Sequence, residues 1–193
     1  MTFLQSAWAL LRDLRAPYFA AIALPILLGS AIAWAKQGWL DAGLFALSLL
    51  AGSFLQAGTN MTNDFFDYEP LDTGRLANTL DPPQQVLQGA LAFFVVGAMM
   101  GLYIALATGP LVLLFGIIGI ASGYLYSAPP LRLSGTGLGE LVAGLNLGLL
   151  TTLGAYYVQT GSIDWGVVWV ALPVALLMTA TLILNGFQPR KLA

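Results

Sequence analysis

Residues 60–75 (NMTNDFFDYEPLDTGR) combine acidic and amide side chains directly after a long apolar run. Four of the chain's nine acidic residues fall between positions 64 and 72. If the preceding helix continues to about position 69, four oxygen-bearing side chains share one of its faces, because they are spaced i, i+3, i+4 and i+7. These are Asn60, Asn63, Asp64 and Asp67. Pro70 then favours an end to the helix, and Asp72 and Arg75 follow in a loop at the same end.

Carboxylates and amides grouped in this way supply the hard oxygen ligands that Mg²⁺ accepts, with water and phosphate completing its shell. The spacing differs from that of a calcium-binding EF-hand loop. Arg75 and Arg132 could neutralise phosphate oxygens that the metal does not reach. The chain contains no Cys and no His, so any catalysis must use Asp, Glu, Tyr, Lys, Arg or a bound ion. The spacing alone leaves open a plainer interpretation, a solvated helix end followed by a turn.

Composition indicates where this face must lie. Hydrophobic residues make up 58% of the 193-residue chain and charged residues 8%, whereas soluble domains carry about 25% charged residues. The chain is therefore predicted to be an all-α, polytopic membrane helical bundle. An isolated Asp at the centre of a bilayer costs about 2.5–3.5 kcal/mol, so the acidic cluster is expected at a membrane boundary. No basic tail suggests a nucleic acid partner.

The chain is predicted to form one membrane domain over residues 1–193. Residues 1–16 indicate an amphipathic segment at the membrane interface. Six apolar segments follow, each about long enough to cross about 30 Å of hydrocarbon as a helix. They lie near residues 17–35, 40–62, 86–107, 110–126, 138–158 and 165–186. Residues 33–35 mimic a signal-peptide cleavage site, but the apolar run before them is longer than a typical signal peptide has.

The loops predict an orientation. Connections at 36–39, 108–109 and 159–164 are short, so alternation of the spans places both longer loops and both termini on one side. Six of the seven basic residues lie on that side, which predicts a cell (inner) membrane protein with cytoplasmic termini and a cytoplasmic acidic cluster. These six are Arg12, Arg15, Arg75, Arg132, Arg190 and Lys191. Small-residue pairs such as Gly97/Gly101, Gly119/Gly123 and Gly144/Gly148 predict close helix packing within the chain, with homo-oligomerisation as the alternative.

Several separated segments together resemble one family, the UbiA superfamily of intramembrane aromatic prenyltransferases. Residues 63–72 resemble its first aspartate-rich motif. Residues 123–133 (GYLYSAPPLRL) and 137–140 (GLGE) are similar to its second cytoplasmic loop, especially in menaquinone-type members that act on 1,4-dihydroxy-2-naphthoate. Residues 154–161 (GAYYVQTG) and 14–17 (LRAP) continue the likeness. The resemblance covers essentially the whole chain.

This resemblance implies an enzyme that transfers a polyprenyl group from a polyprenyl diphosphate to an aromatic quinone precursor such as dihydroxynaphthoate. Carried over by position, Asn63, Asp64, Asp67 and Asp72 would hold Mg²⁺ on the diphosphate. Arg75 and Arg132 would bind diphosphate oxygens. Tyr124 or Tyr126 would stabilise the allylic cation through its ring face, although anchoring at the membrane boundary is an equal alternative for both tyrosines. Membrane lipid would surround the bundle.

The chain departs from the family pattern in three places. One basic residue, Arg75, follows the first motif where members commonly have more. The Tyr-x-x-x-Lys pattern of the second loop is absent, and Arg132, six residues after Tyr126, stands in for its lysine. Residues 182–188 (LILNGFQ) resemble the approach to a second aspartate-rich motif, yet residues 189–193 (PRKLA) do not supply it. We therefore expect six of the family's nine helices and one metal half-site. A frame-shifted gene product, an artificially truncated chain and a shortened member that completes its site by association are the three alternatives.

Two other classes remain from the sequence. A CDP-alcohol phosphotransferase also places aspartates at a helix end beside magnesium, but its Asp-Gly-x-x-Ala-Arg run is absent. The non-enzyme alternative is a membrane remnant, scaffold or small transporter with an acidic cytoplasmic vestibule. A transport route should place polar groups at depth, and the sequence suggests few of them apart from Asn146.

Overall fold

Helices account for the regular structure of the computed structural model, which describes residues 16–66, 83–134 and 136–186. No strand occurs in those three ranges. The helices are α1 (Ala16–Gln37), α2 (Ala42–Phe66), α3 (Pro83–Thr108), α4 (Leu111–Ser127), α5 (Leu138–Gly144), a π segment (Leu145–Leu150), α6 (Thr151–Thr160) and α7 (Trp165–Gly186). The predicted all-α fold is confirmed.

Six apolar helical rods result, since α5, the π segment and α6 run on without a break. Five of these rods are long and apolar enough to cross a membrane, and α4, with 17 residues, is the shorter sixth. At about 1.5 Å per residue, α4 spans about 26 Å. Helix α2 extends beyond the apolar segment near 40–62 and remains helical through Asn63 and Asp64 to Phe66. Intrahelical hydrogen bonds satisfy the backbone there whether the side chains are apolar or polar.

Small residues set the distances between the rods. Helix α2 packs along α3, α1 along α6, and α7 along α5 and the π segment. A Cβ added at Gly148 would collide with the backbone of Ala175 in α7, and one added at Gly144 would collide with Thr179. Close packing within the chain is therefore confirmed for this glycine pair. Gly101 differs, because an added Cβ there would have nothing within 4 Å.

The connections at 38–41, 109–110 and 161–164 define what we call the short-loop end of the bundle. Gln159 joins the α1–α2 connection to α6 there, since its Oε1 accepts from the Asp41 backbone N at 2.9 Å and its Nε2 donates to the Asp41 O at 3.2 Å. Asp41 Oδ1 in turn accepts from Leu44 N at 2.9 Å. Asp41 thus caps the start of α2, where an acceptor side chain satisfies an otherwise unpaired N–H.

A surface ion pair at the same end links α1 to the α6–α7 connection. Lys36 Nζ donates to Asp164 Oδ2, and Asp164 Oδ1 accepts from Gly166 N at 2.7 Å. The hydrogen bond from Lys36, followed by that from Gly166, lowers the pKa of the Asp164 carboxyl. Four exposed tryptophans surround this end, as expected for rings at a membrane interface. They are Trp34, Trp39, Trp165 and Trp169.

Candidate active site

A cavity of about 710 Å³ lies inside the bundle. This volume is typical of a site for a small molecule. The cavity reaches towards the opposite end of the bundle, which we call the motif end and define by Phe66, Ser127, Leu138 and Gly186. Four polar residues line the cavity near that end: Asn63, Tyr126, Glu140 and Asn185. Towards the short-loop end the lining becomes largely apolar, with Ile104, Val112, Phe115, Leu150 and Val158.

Asn63 brings the last turn of α2 to the end of α4. Its Oδ1 accepts a hydrogen bond of 2.8 Å from Ser127 Oγ. Ser127 is 1% exposed, so this contact is sealed from solvent on the α4 side. An amide oxygen has two lone pairs, and one remains available after the serine bond. Asp64 follows at once on α2 and is half-buried.

Tyr126 and Glu140 meet across the cavity wall. Tyr126 Oη donates to Glu140 Oε1 over 3.4 Å, a long hydrogen bond. The other carboxylate oxygen, Oε2, accepts from the backbone N of Gly137 at 2.8 Å, at the start of α5. Glu140 is only 6% exposed, so an ionisable group lies inside the bundle where burial of its charge requires such partners. The sequence contains this glutamate in the second-loop motif but gives it no role.

Tyr124 and Arg132 contact the end of α2 instead of the cavity. The Tyr124 ring packs edge-to-face on Phe66, with centroids 6.0 Å apart. Arg132 is exposed, and its Nη2 donates to the Phe66 carbonyl oxygen at 3.0 Å. That carbonyl belongs to the C-terminal turn of α2, where a cation is favoured by the helix dipole. Arg132 adopts a φ of 41°, in the left-handed region. The structure thus places both residues beside the start of the acidic motif.

The remaining predicted residues lie outside the described ranges. They are Asp67, Asp72 and Arg75. Of the predicted site residues that the structure describes, Asn63 and Tyr126 line one cavity, whereas Tyr124 and Arg132 meet at Phe66. These assignments stay predictions.

The expectation of few polar groups at depth is wrong. Gln56, Asn60, Ser122 and Asn146 all line the cavity away from the helix ends. Asn146 Nδ2 donates to Ser122 Oγ at 2.6 Å, and Gln56 Nε2 donates to Asn60 Oδ1 at 3.0 Å. The positions 56, 60 and 63 follow an i, i+4, i+7 pattern, so extending the acidic face of α2 by one turn would have found Gln56. No comparable sequence pattern predicts that Glu140 or Ser122 lines the cavity.

The donor chemistry at the motif end suits a hard cation. Asn63 offers an amide oxygen and Asp64 a carboxylate, both of which Mg²⁺ accepts. Within the described ranges, no three carboxylate, His or Cys side chains come together as a metal site. Asn63 and Asp64 could therefore supply only part of the coordination shell of such a cation. Its other ligands would come from residues outside those ranges, from water or from a phosphate-bearing substrate.

The chain is similar in sequence to the members of one protein family. The profile of the UbiA prenyltransferase family matches residues 22–191. A 1,4-dihydroxy-2-naphthoate octaprenyltransferase from Bacillus subtilis is 30% identical over 173 residues, covering 86% of this chain and 55% of the relative. A 2-carboxy-1,4-naphthoquinone phytyltransferase from Synechocystis is 29% identical over 177 residues, covering 87% and 58%. UbiA prenyltransferase domain-containing protein 1 from Gallus gallus is 29% identical over 194 residues, covering 94% and 57%. The chain thus spans little more than half the length of these relatives.

Proposed function

The chain belongs to the UbiA prenyltransferase family, and we propose that it transfers a polyprenyl group from a polyprenyl diphosphate to an aromatic quinone precursor. A naphthoate such as 1,4-dihydroxy-2-naphthoate is the proposed acceptor, because two of the relatives above carry naphthoate or naphthoquinone in their names. The chain is a multi-pass membrane protein. We place it in the cell membrane with the motif end cytoplasmic, since six of its seven basic residues are predicted on that side.

The observation that carries this proposal is the graded lining of the cavity. An amphipathic donor has a charged diphosphate and a long hydrocarbon chain, and the two need opposite surroundings. Asn63 lines the cavity at the motif end and is followed by Asp64 in the last turn of α2. Ile104, Phe115 and Val158 line the far part of the cavity. Apolar side chains favour burial of the prenyl chain by about 25 cal/mol per Å² of apolar surface removed from water. The diphosphate then comes to lie at the motif end.

Enzymes of this family are generally metal-dependent, and we propose Mg²⁺ as the metal. Asn63 and Asp64 would hold it together with Asp67 and Asp72. When bound, the metal supplies positive charge against the departing diphosphate. Arg132 and Arg75 would add positive charge at the same end. In Arg132 the guanidinium is held by the Phe66 carbonyl, which keeps it beside the last turn of α2.

The reaction breaks the bond between the allylic carbon and the diphosphate oxygen, whose electron pair leaves with the diphosphate. The electron-rich acceptor ring then forms the new carbon–carbon bond, and the attacked carbon restores the aromatic ring by losing its proton or, at a carboxylated carbon, its carboxyl group as CO2. The protein must keep water from the allylic cation, and the apolar lining beyond Tyr126 does so. We assign cation stabilisation to the Tyr126 ring because Tyr126 lines the cavity, whereas Tyr124 packs against Phe66.

Removing the Tyr126 ring should slow turnover more than removing its hydroxyl. A cation–π contact contributes about 0.5–2 kcal/mol, which corresponds to about 2- to 30-fold in rate. Tyr126→Leu is therefore expected to lower kcat by up to about 30-fold, while Tyr126→Phe keeps the ring and stays within about threefold. Tyr124→Leu is the matched control, with a smaller loss. Equal losses in Tyr126→Phe and Tyr126→Leu would assign the role to the hydroxyl and its bond to Glu140.

The proposed function is tested by assaying the purified chain in detergent or lipid with geranyl diphosphate and dihydroxynaphthoate. We expect prenylated product with Mg²⁺, loss of turnover on chelation with EDTA, and recovery when Mg²⁺ is restored. Product formation unaffected by EDTA would overturn the metal assignment. If neither product nor magnesium-dependent diphosphate binding is seen, the non-catalytic scaffold becomes the better description.

A further inference from the structure

We infer that Asn60 binds an oxygen substituent of the aromatic acceptor and so determines which acceptors the cavity takes. This inference rests on the proposed function and adds a residue and a ligand group to it. Asn60 lines the cavity and is 7% exposed. Its Nδ2 is a buried donor with no hydrogen-bond partner within the described part of the chain. Buried amide donors nearly always have a partner, so this one points to a ligand.

The Asn60 amide is held in place by the turn before it. Gln56 Nε2 donates to Asn60 Oδ1 at 3.0 Å, and Gln56 is itself 9% exposed. Because the oxygen is engaged, the nitrogen is the atom left to bind. A donor that is already oriented loses little conformational freedom when a ligand arrives, and it is therefore suited to discriminating between ligands.

The depth of Asn60 favours the acceptor over the diphosphate as its partner. Asn60 lies one helical turn before Asn63, about 4.5 Å further into the bundle at 1.5 Å per residue. The reacting carbon and the acceptor ring must lie between the diphosphate and the prenyl chain, which is where this turn of α2 lines the cavity. Gln56, Ser122 and Asn146, which line the cavity at depth, are neutral as well. Neutral amides and hydroxyls suit hydroxyl or carbonyl oxygens, whereas a diphosphate calls for charge.

A cycle of protein variants and ligand analogues tests this contact by equilibrium binding, without the prenyl donor and without turnover. The ligands are 1,4-dihydroxy-2-naphthoate and three analogues that each lack one oxygen-bearing group: 1-hydroxy-2-naphthoate, 4-hydroxy-2-naphthoate and 1,4-dihydroxynaphthalene. The variant is Asn60→Leu, which keeps the branching and size of the side chain and removes the amide. Binding is measured under anaerobic conditions in the same lipid for every protein.

We expect the wild-type chain to bind one analogue about five- to tenfold more weakly than the parent, the range of a lost neutral hydrogen bond. Asn60→Leu should bind the parent more weakly by a similar factor and should no longer distinguish it from that one analogue. A purely structural role for Asn60 would instead weaken all four ligands alike. If Asn60→Leu keeps the wild-type pattern of preferences, or if all four affinities fall together, the inference is wrong.

Two further variants keep the test decisive. Thr62→Val is the control, because Thr62 lies on the same helix, is fully buried, and donates its hydroxyl to the Gly58 carbonyl at 2.8 Å; it should keep the wild-type preferences. Gln56→Met is the alternative variant if Asn60→Leu does not fold: it keeps Asn60 but removes the hydrogen bond that orients the Asn60 amide. It should reduce the difference in affinity between the parent ligand and that one analogue. Unchanged ligand preferences in Gln56→Met would count against the inference. Absence of both product and magnesium-dependent diphosphate binding overturns the proposed function, whereas loss of the analogue pattern overturns this contact alone.

Discussion

Replacing Asp64 by Asn is expected to lower prenyl transfer by about 100- to 1,000-fold, the usual loss when one preorganised electrostatic contact to the developing charge is removed. The substitution keeps the size and shape of the side chain and removes only its charge. Without that carboxylate, the proposed Mg²⁺ site loses an anionic ligand, and the departing diphosphate is less well neutralised. The measurement is the rate of product formation at saturating geranyl diphosphate and Mg²⁺, with diphosphate binding measured in parallel.

The opposite end of the same helix provides the control for this change. Asp41 caps the start of α2 by accepting from Leu44 N, and Asn caps as well as Asp. Asp41→Asn therefore makes the same chemical change at the short-loop end and should leave the rate within about twofold. Wild-type rates in Asp64→Asn would remove Asp64 from the proposed metal site. A large loss in both variants would indicate a general effect of charge on the bundle.

Gly148→Ala is expected to have the largest effect on stability. A Cβ at this position would overlap the backbone of Ala175, and backbone cannot turn aside as a flexible side chain can. Overpacking of this kind costs about 1–3 kcal/mol, against a gain of up to about 1 kcal/mol from replacing Gly by Ala in a helix. Thermal unfolding in detergent should therefore occur at lower temperature than in the wild-type chain.

Gly101→Ala is the matched variant for that experiment. It also lies in a small-residue pair on a helix, but an added Cβ there would have nothing within 4 Å. Its unfolding temperature should equal or exceed that of the wild-type chain. If both variants were destabilised alike, the cause would be the loss of a helix glycine in general and not the contact of residue 148 with α7.

The sequence predicted an all-α bundle of about six helices because apolar runs of membrane length have few other ways to satisfy their backbone groups. It also placed Asn60 and Asn63 on one face of α2, and both line the cavity. A 3.6-residue period carries that information locally. The periodicity could not show that Asn63 would be bonded to Ser127, since the two are separated by 64 residues.

Other features of the site depend on contacts that no local pattern encodes. Arg132 was expected at the diphosphate, and in the structure it donates to the Phe66 carbonyl beside the acidic motif. Glu140 becomes a buried cavity residue because the start of α5 comes to lie against the end of α4, where Tyr126 reaches it. Each of these contacts is fixed by packing between helices, which the sequence of either helix alone leaves open.

The π segment at Leu145–Leu150 has a consequence for the register of the rod that contains it. A π turn accommodates one more residue than an α turn, so every residue after it lies behind the angular position that it would take in an uninterrupted α-helix. Helix α5 presents Gly144 to α7, whereas α6 packs along α1. If residues 145–150 were wound as ordinary α-helix instead, the faces of α6 would be rotated by about 100° relative to α5, which is the turn of one residue. The π turn thus helps to set which face of α5 meets α7 and which face of α6 meets α1 within one continuous rod.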